Sequence, residues 1–172
     1  MALDASVTKM LNEQINKELY SSYLYLTFAD YYDARGLKGY ANWYVIQVQE
    51  ELDHARILRR YLLDNDFVPT MEAIAKPDKT FSNDLEPLEA GYEHEQFITK
   101  SINDCYAAAY EVKDFRTMQL LDWFVKEQGE EETNAKDMIT DYQIFGGTPQ
   151  GLYSLDAKYL TRVYTQTTTM AM

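Results

Sequence analysis

The sequence predicts an all-α fold, a four-helix bundle with one long crossover connection and a short C-terminal fifth helix. Three observations predict it. Apolar residues recur at three- and four-residue steps along four long segments, with almost no period-two alternation. The first and second segments, and the third and fourth, are joined by short turns. A stretch of about 20 residues bearing Pro69, Pro77 and Pro87 separates the second from the third.

The first helix, about 5–33, carries Leu11, Ile15, Glu18, Ser22, Tyr25 and Ala29 on one face and breaks at Gly36 and Gly39. The second, about 40–65, places Tyr44, Val48, Glu51, Ala55, Leu58 and Leu62 on its stripe and ends at LLDNDFVP. The third, about 85–112, aligns Leu88, Gly91, Glu95, Ile98, Ile102, Cys105 and Ala109. Asp114 is the expected N-cap of a fourth helix, about 114–143, whose stripe runs Thr117, Leu120 or Leu121, Phe124, Gln128, Glu131, Ala135 and Met138. FGGTPQGL ends it, and a fifth helix is expected over about 152–163, followed by a tail, TQTTTMAM, with no packing pattern. Helices of about 27 residues are each roughly 40 Å long. A crossover over about 66–84 can run the length of the bundle, making helices two and three parallel while both short turns join antiparallel pairs.

At 172 residues the chain suits a single domain able to bury its own core. Its one cysteine, Cys105, is expected to be buried and leaves no disulfide framework or cysteine-built metal site within the chain. No apolar run approaches a membrane span, and MALDASVTKM lacks the apolar stretch of a secretory signal, so the cytoplasm is expected. A formal charge of -12 repels nucleic acid and anionic lipid and attracts cations. Metal ions are the partners this charge favours.

Each long helix also breaks its apolar stripe with a metal-ligand type of side chain: Glu18; Glu51 with His54 one turn on; Glu95; Gln128 with Glu131 one turn on. Glu18 and Glu51 are 33 positions apart, and so are Glu95 and Gln128. With equal hairpin geometry, the two sets lie at one depth in the bundle. An inward glutamate taken alone reads as a surface residue out of phase or half of a salt bridge. Four helices with equal offsets, and no Lys or Arg on the stripes, do not. Ionised carboxylates gathered in a dry interior cost several kcal/mol each unless protons or cations neutralise them. Four glutamates balance two divalent ions, and carboxylates with one imidazole suit Fe or Mn, with Zn able to compete. Tyr25, two turns after Glu18, is either a core ring or a hydrogen-bonding or redox neighbour of such ions. His94, rotated about 100° from Glu95, is expected at the surface. Glu50, Glu127 and Glu130 form a second acidic set, readable equally as a solvated face, and Gly129 costs its helix roughly 1 kcal/mol relative to Ala.

The segments LNEQINKELYSSYLYL, QEELDHA, AYEHEQFI, LLDWFVKEQGEEE and GLYSLD resemble those of bacterial non-haem ferritins, over nearly the whole chain. The resemblance implies iron storage with ferroxidase activity: homo-oligomeric 24-subunit cages that oxidise Fe(II) with O2 at a di-iron centre inside each subunit and store ferric mineral. It implies one iron on Glu18, Glu51 and His54, a second bridged by Glu51 to Glu95 and Glu131, Gln128 beside them, and Tyr25 adjacent. Glu50, Glu127 and Glu130 match a third iron site. Bacterioferritins, which carry haem on a methionine of the second helix, fit less well: residues 40–65 hold no methionine, and Gln128-x-x-Glu131 stands where they repeat Glu-x-x-His. Met118 and Leu121 align with acidic residues of the three-fold iron channel in animal ferritins. The competing reading is a metal-buffering or structural cage subunit without oxygen chemistry.

Overall fold

A computed structural model describes residues 3–167. Five helices follow one another: α1 (Ala5–Ala34), α2 (Lys38–Asp64), α3 (Glu86–Glu111), α4 (Phe115–Phe145) and α5 (Pro149–Tyr159). There is no strand among the described residues.

Helix ends follow local chemistry. Asp4 caps α1 by accepting from the Ser6 amide, and Asp114 caps α4 by accepting from the Thr117 amide. All four long helices begin and end within two residues of expectation, α4 continuing to Phe145. Helix α5 lies earlier than expected, because Thr148 accepts from the Gly151 amide and Pro149 fills the first turn. The motif expected only to end α4 thus also starts α5. At the end of α1, Gly36 takes φ 79° and the Leu37 amide reaches back to Tyr32 O at 3.0 Å. Asp66 and Lys113 close α2 and α3 in the same left-handed way, at φ 62° and 56°.

The crossover runs back along α1. Asn12 exchanges hydrogen bonds with Thr70, the Asn16 amide donates to Ala73 O, Phe81 packs edge-on to Phe28, and the Tyr32 hydroxyl donates to Asp84 O. That path fixes α2 and α3 as parallel. Helix α5 docks on the start of α2, where Asp156 Oδ1 accepts from the amides of Gly39 and Tyr40. A Cβ on Gly39 would stand 1.7 Å from the Asp156 carbonyl oxygen, so only glycine permits this approach.

Beyond α5 the chain does not lose contact with the bundle. Tyr164 and the amide of Thr167 both donate to Asp53 Oδ2, so a strap of residues 161–167 lies along α2. The rest of the tail expected to be unpacked, residues 168–172, lies outside the described residues.

The core is two apolar clusters. One holds Leu11, Ile15, Leu58, Leu62, Ile98, Ile102, Leu121 and Phe124 with buried Cys105. The other is rich in tyrosine, with Tyr25, Tyr32, Tyr40, Tyr44 and Tyr159 around Phe28 and Leu88. Each fully buried leucine contributes roughly 1.5–3 kcal/mol. Leu121 is fully buried, and Met118, partly buried, packs against the same cluster.

Candidate metal centre

Between the clusters lies a layer of buried polar side chains: Glu18, Glu51, His54, Glu95, Gln128 and Glu131, each at most 5% exposed. All four long helices contribute. Glu18, Glu51 and His54 each offer a ligand atom, all within 4.8 Å of one another. His54 Nδ1 stands 3.1 Å from Glu51 Oε2, while His54 Nε2 and Glu18 Oε2 are buried with no hydrogen-bond partner. Unpaired buried polar atoms cost about 1–3 kcal/mol each, and a cation ligated by both would remove that cost. The rings of Trp123 and Phe124 meet His54 edge-on at 5.5 and 5.8 Å and hold it from the α4 side.

Glu95 and Glu131 stand outside that three-residue grouping. Tyr25 donates its phenol proton to Glu95 Oε1, and Gln128 Nε2 donates to Glu95 Oε2 at 3.0 Å. Gln128 thus turns its amide nitrogen, a donor, toward the Glu95 carboxylate and holds it. Glu131 accepts from Gln47 Nε2 at 2.9 Å. Glu18 Oε1 accepts from Gln14 Nε2, also at 2.9 Å.

Gln14 and Gln47 did not figure among the expected site residues. A signal exists: each lies four positions before a stripe glutamate, and they too are 33 apart. Both carry a link outward to a cation. Lys17 donates to Ser101, whose hydroxyl donates to Gln14 Oε1; Arg162 Nη1 donates to Gln47 Oε1 at 2.6 Å.

The second acidic set is less gathered. Glu50, partly buried, is ion-paired at 2.6 Å with Arg162 Nη2. Glu130 is exposed and 3.4 Å from Lys126, and Glu127 is partly buried between them in sequence. The helical stripes supply no Lys or Arg, as expected, but the strap does. His94 departs from expectation outright. It is buried, with Nε2 2.7 Å from Ser21 Oγ and its ring between Tyr20, Tyr25 and Phe97, because these residues of α1 and α3 close around it. Burial lowers its pKa to about 4 and keeps it neutral. Gly129 has open space around its α-carbon, and nothing in the packing explains a glycine there.

Electrostatics make the layer a cation trap. Burial raises Glu18, Glu51, Glu95 and Glu131 above the usual carboxylate range, Glu131 to about 8. Desolvation alone would lower His54, but Glu51, Glu18 and Glu131 override it and raise His54 to about 10. Raised in this way, the layer favours bound protons, which a divalent cation held there would displace.

Comparisons with known proteins agree with this geometry. Residues 8–145 match the family described as Ferritin-like domain. A bacterial non-heme ferritin of Campylobacter jejuni is 38% identical over 154 residues, covering 90% of this chain and 92% of that protein. One from Escherichia coli is 35% identical over 159 residues, covering 92% and 96%. Among solved structures, an Archaeoglobus fulgidus ferritin engineered to a closed form superposes with TM-score 0.92 at 36% identity, over 95% of this chain and all of that one. An open-pore ferritin from the same archaeon gives 0.91 at 37%. A five-helix bundle, a buried carboxylate–imidazole cluster and these relationships converge: the chain belongs to the ferritin family and is an iron-storage protein with ferroxidase activity.

Proposed function

We propose that the chain oxidises two Fe(II) per subunit with O2 at the buried layer and delivers the ferric product to the interior of a 24-subunit cage. The observation that supports this most is the Glu18–Glu51–His54 cluster with its unpartnered Glu18 Oε2 and His54 Nε2. One substrate iron is assigned to Glu18, Glu51 and His54, and the second to Glu51, Glu95 and Glu131. Glu51 is the bridge. Each Fe(II) gives up one electron and O2 takes two with two protons, so a paired site avoids one-electron reduction of O2. Tyr25 holds Glu95 by its phenol.

Glu50, Glu127 and Glu130 are assigned to a third iron position. The reading includes no haem, as no methionine stands in α2. Assembly is supported by apolar side chains left exposed on one chain, among them Leu26, Leu52, Val68 and Met71. No helix among the described residues is long and apolar enough to cross a membrane, and with a single cysteine we place the protein in the cytoplasm.

The test is oxygen consumption by metal-free protein given about two Fe(II) per chain in aerated buffer. A fast phase that saturates near two irons per chain is expected. Oxygen uptake no faster than buffer, with Fe(II) bound, would leave a metal-buffering subunit instead. Sedimentation of the same sample reads the cage size.

A further inference from the structure

Arg162 comes from the strap, more than a hundred positions from its partners, yet it ends beside the centre. Its Nη1 donates to Gln47 Oε1 and its Nη2 to Glu50 Oε2, both at 2.6 Å, and its guanidinium lies 4.0 Å from the ring centroid of Trp43. Its backbone is fixed too, since the Asn42 amide donates to Arg162 O at 3.0 Å and to Tyr159 O at 3.2 Å. The forked, planar guanidinium fits two acceptors at once.

Gln47 is itself 3% exposed and has one carboxamide to orient. With its oxygen facing Arg162, its nitrogen faces Glu131 Oε2. Turned over, the amide would set its NH2 against the guanidinium, donor against donor, and take its own donor away from Glu131. Arg162 therefore fixes the sense of the amide, and the amide fixes Glu131.

We propose that Arg162 is a positioning residue for the second iron, acting through Gln47 to hold Glu131 in the geometry that receives that ion. This rests on the assignment of Glu131 to the second ion. The strap after α5 thereby becomes part of the centre, so its seating on α2 decides whether a subunit binds one ion well or two.

Zn(II) binding to the assembled, metal-free protein tests it, by calorimetric titration of wild type, Gln47→Leu, Arg162→Gln and the double variant. Outer partners of metal ligands typically carry 10- to 100-fold in affinity. Gln47→Leu is expected to weaken the second Zn(II) about tenfold and leave the first unchanged. Arg162→Gln should do the same, although losing a positive charge by itself would tighten the site. The double variant should be no weaker than Gln47→Leu, because both break one relay. Equal weakening of both ions, tighter binding in Arg162→Gln, or additive losses would overturn the inference. Failure of the wild type to bind two Zn(II) per chain would instead remove the two-ion assignment beneath it. Thermal melts of the four proteins separate a lost relay from lost folding.

Discussion

The phenol of Tyr25 on α1 donates to Oε1 of Glu95 on α3, while Gln128 on α4 donates to the other oxygen of the same carboxylate. Glu95 is thus held at both oxygens, and the Tyr25 phenol is kept protonated by burial and by the Glu95 and Glu51 charges.

Tyr25→Phe removes one of those donors without changing the ring packing. It should cost about 1–3 kcal/mol of stability and slow Fe(II) oxidation about tenfold, with two ions still bound. Stopped-flow oxidation and a denaturant melt check both parts. Loss of metal binding would show Tyr25 to be doing more than holding Glu95.

Glu51→Gln separates stability from activity. Desolvation raises the Glu51 pKa, so in metal-free protein near neutral pH the carboxylate is a burden. The variant should be more stable without metal by about 1 kcal/mol, gain less from Zn(II), and lose the fast phase of oxygen uptake. Calorimetric melts with and without Zn(II) read the reversal.

Stability should depend on pH in a direction set by the layer. Glu131, raised from 4.5 to about 8, and His54, raised from 6.5 to about 10, both bind more protons folded than unfolded within those windows. Their contribution to metal-free stability is therefore largest below the unfolded values and is lost as pH rises through the folded ones. Ions that displace the protons reverse the trend. The rise in Tm on adding Zn(II) should grow from about pH 5.5 to about pH 8. A rise independent of pH would contradict proton displacement.

Lys113 takes a left-handed conformation at φ 56° between α3 and α4. Non-glycine residues pay about 1–2 kcal/mol there. Lys113→Gly should recover about 1 kcal/mol after its own entropy cost, raising Tm by about 2–4 °C without altering iron oxidation. A neutral or negative shift would mean that the Lys113 side chain offsets its backbone.

The bundle and the buried layer of carboxylates were legible because helical periodicity exposes any charge on an apolar stripe. Glu18, Glu51 and Glu95 could be read one helix at a time. His94 could not, since its burial depends on Ser21 of another helix being small enough to admit the ring. Helix α5 begins earlier than its apolar pattern indicates because its start, Thr148-Pro149, lies inside a glycine-rich linker. Arg162 carried no local signal at all: its partners Gln47 and Glu50 lie 115 and 112 positions earlier, and only the docking of α5 brings them together.

The chain has two tryptophans, and they stand against different residues of the buried layer and its surround. Trp123 meets His54 edge-on, and Trp43 lies under the Arg162 guanidinium. Their fluorescence would divide the proposed centre accordingly. Quenching of Trp123 would report a paramagnetic ion bound at His54, and a shift in Trp43 emission would report a change around Arg162. Trp43→Phe and Trp123→Phe proteins would each carry a single intrinsic dye, letting the order of the two events be timed in one mixing experiment.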